Sequence, residues 1–316
     1  MTMISFFHHQ SNFGFIKNRY KAYAFSIALF IATIVSVFLH GGLKLGVDFT
    51  GGTMMQIHFS TPVPTDQLRK ALNDGGIPSV EIQKVKDTDL IKNAFMIRTG
   101  LTEEKSGQEE VKPSSIVERI KTVLGQRFPD NQVTIDSNET VGPKIGKELQ
   151  RNAIWAVLIG CVLILIYVAF RFDFRFGVAA VVAIFHDVLC TLGFISVTNM
   201  EFNLQSVAVL LTVIGYSIND SIVVADRIRE NLRKSQKETY PELINRSINE
   251  TLSRTVITVI TVFLVLLALQ LFAGRVLSDF TKPLLFGLVI GTYSSIFVVS
   301  SLVVDWELKS PTKRKK

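Results

Sequence analysis

Six stretches of this chain are too long and too apolar for an ordinary soluble core. They run Ala22–Leu39, Asn152–Phe170, Phe176–Thr198, Phe202–Ala225, Thr255–Ala273 and Pro283–Val304, each 18 to 24 residues long. At ~1.5 Å of rise per residue, such helices cover a hydrocarbon core of ~30 Å. Backbone polar groups have no water to bond in lipid, so each run is expected to cross as a closed α-helix. The mean hydropathy of +0.34 over 316 residues reflects these runs rather than a large soluble core. Lys17, Arg19 and Lys21 precede the first run, as in a signal peptide. Its apolar part is too long for one, however, and the HGGLKLG that follows offers no small-residue cleavage pattern, so it reads as an uncleaved anchor.

Charge orients the spans. The net charge is +7, yet residues 41–150 carry 14 Lys and Arg against 15 Asp and Glu. The excess sits before the first span, in the connection after the fourth (Arg227, Arg229, Arg233, Lys234, Lys237, Arg246), and in the tail (Lys309, Lys313, Arg314, Lys315, Lys316). The positive-inside rule therefore places both termini in the cytoplasm and the 41–150 segment outside. The KRKK tail resembles a nucleic-acid signal, but beside a span it reads as a topology anchor that also attracts anionic lipid, with no nucleic-acid partner. Cys161 and Cys190 both fall within spans, so no disulfide framework or cysteine metal site is expected.

The external segment alternates strand and helix signals. MMQIHF has period two, with Met55, Ile57 and Phe59 on one face. Thr65 is placed as the N-cap of a helix carrying Leu68 and Leu72 and stopped by Gly75–Gly76. SVEIQKV and NAFMIRT read as strands, LTEEKSGQEEVKP as a loop, and Ser114 or Ser115 as the cap of a second helix with Ile116, Ile120, Val123 and Leu124 on its stripe. QVTIDS closes the order β-α-β-β-α-β, a ferredoxin-like sandwich. His58 is a lone strand histidine, and no catalytic cluster is visible, so the domain reads as a binding or mechanical module.

The functional signal lies in the spans. Asp220 is the one charged residue in Phe202–Ala225. A carboxylate at mid-bilayer costs roughly 2.5–3.5 kcal/mol on insertion scales unless it is neutralised, paired or hydrated. Arg254 opens the next span from the same side, so the two are expected at similar depth. Such a pair is either a static brace or a switch in which neutral Asp220 releases Arg254 and ionised Asp220 recaptures it. Tyr216 and Asp220, four apart, share a helix face. Asp226 sits at the span's edge beside Arg227 and Arg229, where a solvated helix end and a functional role are both open. His186–Asp187 lies mid-way along the third span, as an interhelical hydrogen bond or a share in proton handling; a metal would need two more ligands. Gly287 and Gly291 form a small-xxx-small pair for close helix packing.

Several motifs resemble one family. GVDFTGGT (Gly46–Thr53), VGPKIGKELQRNA (Val141–Ala153), FHDVL (Phe185–Leu189), GYSINDSIVVADRIREN (Gly215–Asn231) and INETLSRT (Ile248–Thr255) are similar to the SecD/SecF family of the bacterial Sec preprotein translocase, on its SecF side. The resemblance implies six transmembrane helices, half of a resistance-nodulation-division-like unit, with one ferredoxin-like periplasmic domain. On that reading residues 1–21 are a cytoplasmic tail, 22–39 the first helix, 40–151 the domain, 152–304 the remaining five helices, and 305–316 a basic cytoplasmic tail. It also implies an inner-membrane protein with a separate, unfused SecD as partner. The SecYEG channel, YajC, SecA and the translocating preprotein follow as further partners. A proton gradient is the implied energy source, with no cofactor and no enzymatic activity, and the family's proton-coupling residues fall on Asp220 and Arg254, less securely on Asp226.

Three other readings stay open on the residues alone. A solute exporter half-transporter uses the same architecture, but with larger external domains. An intramembrane aspartyl protease would pair Asp187 with Asp220, yet the chain has HD and ND where such enzymes use YD and GxGD. A channel scaffold without proton coupling needs no titrating group.

Overall fold

The computed structural model describes residues 12–77, 80–85, 93–100, 113–234, 238–272 and 274–311, which divide into two compact units: Leu45–Ile154, and a helical unit made of the rest of the chain. The expected 101–113 loop, apart from Pro113, lies outside the described residues, as do Lys237 and the Lys313–Lys316 tail.

In the Leu45–Ile154 unit, a one-turn helix α2 (Val47–Thr50) leads into β1 (Gly52–Phe59). Then come α3 (Thr65–Asp74), β2 (Glu81–Lys84), β3 (Ala94–Thr99), α4 (Pro113–Arg127) and β4 (Val133–Val141). The sheet order is β2-β3-β1-β4, and every pairing is antiparallel. This is the ferredoxin-like sandwich expected from the pattern. The period-two face of β1 supplies Met55, Ile57 and Phe59, each at most 1% exposed, against Leu68 and Leu72 of α3 and Ile120 and Leu124 of α4. In register, Ile57 stands opposite Phe95 of β3 and Ile135 of β4. The Phe59 ring meets those of Phe95 and Phe128 edge-on at 5.9 and 5.3 Å. Each such side chain contributes ~1.5–3 kcal/mol by leaving water. Thr65 is the first helical residue rather than the cap, and Pro64 precedes it without a side-chain cap bond. Its fixed φ makes Pro64 suited to end the extended lead-in.

Gly52 is required by its backbone. Its φ is +143°, and a Cβ there would lie 2.7 Å from the Thr99 carbonyl oxygen. Only glycine lets the chain turn from α2 into the central strand at that approach.

The helical unit contains α1 (Arg19–Leu39), preceded by a short 3-10 turn at Ile16–Asn18. It continues with the lower part of α5 (Pro143–Arg171), α6 (Phe174–Val197), α7 (Leu204–Lys234), α8 (Tyr240–Phe272), α9 (Gly274–Tyr293) and α10 (Ser300–Lys309). A π-helical turn, Ser294–Val299, joins α9 to α10. Six segments are long and apolar enough to cross a membrane. Helix ends differ from the hydropathy reading. α5 begins at Pro143 rather than near Asn152, because its first turns are amphipathic and proline suits the first helical position. α7 outruns Ala225 to Lys234, and α8 starts fifteen residues before Thr255. Their polar extensions are helix, not loop, held by Arg227–Glu250 at 2.6 Å, Arg246–Glu250 at 3.0 Å and Asn231–Glu250 at 2.7 Å. The last span is likewise longer than Pro283–Val304 and is broken by the π turn.

α6, α7 and the α9–α10 segment form the centre, while α5 and α8 leave most of their apolar surface outward, including Trp155, Leu163, Leu264 and Leu271. Close contact at the centre depends on small residues. A Cβ at Gly287 would overlap Val213 of α7, and one at Gly193 would overlap Thr33 of α1.

Candidate functional site

Asp220 lies on the inward face of α7 with Ser217, Ser221 and Val224, a set spaced three or four residues apart. It is 7% exposed. Tyr216, one turn earlier, is at the exposed flank with 38% of its surface accessible. On α8, Thr251, Leu252 and Thr255 turn inward and leave Arg254 exposed. The direct Asp220–Arg254 ion pair expected from the sequence therefore does not form here. Asp226 is paired elsewhere: Arg171 at the end of α5 donates to it at 3.0 and 3.3 Å. Both side chains are more than 40% exposed, so this tie is worth ~0–1 kcal/mol.

The structure brings together a cluster that the sequence showed only in part. Asp187 of α6 is fully buried. Its Oδ1 lies 2.9 Å from His186 Nδ1, and its Oδ2 accepts hydrogen bonds from Ser217 of α7 at 2.5 Å and Ser294 of the π turn at 2.7 Å. Thr191 donates to the Asp187 carbonyl at 2.8 Å, and Cys190 Sγ sits 3.7 Å from His186 Nε2. Tyr293 stands over the His186 ring with centroids 6.2 Å apart and donates to the Ala22 carbonyl of α1 at 2.7 Å. One carboxyl thus ties three segments of the bundle at mid-helix. Gly291 lets α9 approach it: a Cβ there would lie 3.3 Å from Ser217 Cβ and 3.8 Å from Asp187 Oδ2. Ser217 and Ser294 were missed because hydroxyls are cheap in lipid-crossing helices and carry little signal singly.

At the end of the bundle that holds Arg171, Asp305 of α10 receives Arg19 and Tyr23 of α1, each at 2.9 Å, and Glu307 pairs with Arg175 of α6. Among the described residues no group of three His, Cys, Asp or Glu side chains is placed to hold a metal. In the Leu45–Ile154 unit, His58 Nδ1 lies 2.7 Å from Asp136 Oδ1 on the neighbouring strand, a surface pair.

Comparison with known proteins agrees with this architecture. Residues 120–309 match the family described as protein export membrane protein SecD/SecF, C-terminal, and residues 37–63, which hold Gly51–Gly52, match the SecD/SecF GG motif. The chain is 40% identical over 310 residues to protein translocase subunit SecF of Endomicrobium trichonymphae, covering 98% of this chain and 96% of that protein. Protein translocase subunit SecF of Gemmatimonas aurantiaca is 41% identical, over 96% of this chain and 90% of that protein. The crystal structure of SecDF from Thermus thermophilus, titled a translocon-associated membrane protein, superposes with a TM-score of 0.79 at 41% identity. That match covers 94% of this chain but 39% of the SecDF chain, so the present chain spans about two fifths of its length. With the GG turn, the six spans and near-full-length identity in agreement, the chain belongs to the SecD/SecF family of protein export membrane proteins.

Proposed function

We propose that this chain works as a SecF-like subunit that uses the proton motive force, together with SecD, to complete preprotein export after SecA has driven the chain through SecYEG. YajC is a further partner on this reading. The setting is a bacterial inner membrane, with both termini cytoplasmic and the ferredoxin-like domain periplasmic. The observation that carries it is the state of Asp220: a buried carboxyl midway along a span, with a guanidinium on the facing helix and no ion pair between them. Nothing but charge movement or packing justifies the cost of such a group. A static brace would hold the two in contact, and they are not.

One charge moving through 100 mV is worth ~2.3 kcal/mol, enough to bias a two-state packing of α7 against α8 by about fifty-fold. Ionised Asp220 attracts Arg254 towards the bundle; protonated Asp220 leaves it at the flank. The second arrangement matches the geometry described here, and alternation between the two is the proposed working stroke. No cofactor takes part, and the energy source is the gradient.

The test is Asp220→Asn, assayed in vesicles carrying SecD and the channel. The variant is expected to assemble normally and keep export driven by ATP, while stimulation by an imposed proton gradient disappears. Stimulation equal to that of the unmodified protein would overturn the proposal.

A further inference from the structure

Nothing so far uses the Asp187 cluster. Asp187 is residue fourteen of α6, ~20 Å along the helix and far from either end. Its carboxyl meets three donors: His186 on Oδ1, and the Ser217 and Ser294 hydroxyls on Oδ2. Ser217 and Ser294 are also 3.5 Å from each other, so Oδ2 holds the π turn against α7. Ser217 lies three residues before Asp220, on the same buried face. Whatever fixes Ser217 fixes the rotation of α7 that turns Asp220 inward.

The second observation is the π turn. Wide turns of this kind are rare, occur mostly as single turns inside α-helices, and are frequent at functional sites. Here it begins at Ser294, the residue that binds Asp187.

We infer that Asp187 is a positioning residue for the gradient-driven step, whose carboxylate, gripped by Ser217, Ser294 and His186, holds α7 and the π turn in the register that presents Asp220, and whose protonation releases that register. The inference rests on the proton-coupling role proposed for Asp220. The chemistry is a single proton transfer. An O–H bond of a hydronium ion breaks as an O–H bond forms at Oδ2, leaving water, and the reverse transfer returns the proton to water. An ionised Oδ2 accepts from both serines. A protonated Oδ2 becomes a donor, so one serine hydroxyl must turn away and bond a carbonyl of its own helix; the Gly291 carbonyl, 3.0 Å from Ser294 Oγ, is the alternative acceptor within reach. The titratable groups around Asp187 are His186 and Cys190 on α6, Asp220 one turn beyond Ser217 on α7, and Tyr293 beside the π turn. From α1 the nearest ring is Phe30, 5.9 Å from His186, which carries no charge.

The experiment compares Asp187→Asn with the Ser217→Ala/Ser294→Ala double variant, each in the full chain assembled with SecD and the channel. Export is measured with and without a proton gradient across a pH series. Asparagine keeps the shape and one acceptor but cannot be ionised. The expected result for Asp187→Asn is normal assembly, unchanged gradient-independent export, and gradient stimulation reduced about tenfold with a flattened pH profile, the scale of one charge-assisted hydrogen bond. The double variant keeps the acid and is expected to displace the pH midpoint of stimulation, which a merely structural role would not do. Full stimulation with an unaltered profile in Asp187→Asn overturns the inference. If that variant fails to assemble, the serine variant decides: a displaced midpoint supports the inference and an unchanged one overturns it. Asp220→Asn run in parallel separates the two ideas. Loss of stimulation there, with none in Asp187→Asn, removes this inference alone; retention in both removes the coupling role itself.

Discussion

The ferredoxin-like unit and the helical unit differ in what they bury beside hydrocarbon. The first seals Met55, Ile57, Phe59, Phe95, Ile97, Leu68 and Ile120 at 0–1% exposure and keeps its ionisable groups at the surface. The second buries Val209, Leu243, Val299 and Val304 too, but sets Asp187, Thr191, Ser217, Thr281, Ser294, Ser295 and Ser300 among them, all at 0–1%. In water, burial of apolar area is the driving term, so a sandwich spends its interior on hydrocarbon. In lipid the surroundings are already apolar, so helices are held by close contact and by polar groups that find each other. The comparison sets the two units apart: the sandwich keeps its ionisable groups outside its core, and the bundle places a carboxyl inside its own.

The contrast breaks most readily in the domain. Phe95→Ala removes a ring that packs on Phe59 and stands opposite Ile57, and is expected to cost ~3–5 kcal/mol. Hydrogen exchange on the whole protein should then show β1, β3 and β4 losing protection, while amides of α6 and α7 keep theirs. Equal loss in both units would show that they do not have separate cores. Gly287→Leu should do the reverse at a cost of ~1–3 kcal/mol. It wedges α9 off Val213, lowers the detergent melting temperature of the bundle, and leaves exchange in the β-sheet unaltered.

The smallest expected effect lies on the domain surface and carries a sign. Partial withdrawal from water, followed by the neighbouring Asp48 charge, holds the Glu139 carboxyl above the usual glutamate range. A raised acid contributes its full stability below its unfolded value of about 4.3 and loses it as pH climbs through the folded value. Glu139→Gln, uncharged throughout, should therefore stabilise the domain at pH 7 by less than about 1 kcal/mol after screening, and make no difference near pH 4. Exchange protection along β4 at the two pH values checks this; a larger benefit at the acid end would reverse the sign.

How much of this was visible in the sequence follows from the same contrast. Period-two and helical spacing located all four strands and both domain helices, because an apolar interior writes itself into the pattern. The six spans were visible for the same reason. The polar ends of α7 and α8 were read as a basic loop, since hydropathy falls where a helix leaves lipid although Arg227, Arg246 and Glu250 keep it wound. Asp220 stood out because a charge in an apolar run is conspicuous. Arg254 was expected to pair with it, but it lies on the exposed face of α8, since helix rotation depends on packing that no local spacing encodes. Asp187 was seen, but its grip on Ser217 and Ser294 was not: serines thirty and more than a hundred residues away meet it only through the fold, and a π turn leaves no mark in composition.

That turn fixes the length of the last span to the residue. The π turn at Ser294–Val299 holds one residue more than an ordinary α-helix would, and deleting one would rotate everything beyond it by about 100°. Asp305 would swing off Arg19 and Tyr23, and Glu307 off Arg175, if Ser294 were kept on Asp187. The wider winding is the phase correction that lets the mid-bilayer anchor and the terminal anchors be met by one continuous rod, so insertions and deletions in this stretch should be selected against far more strongly than substitutions.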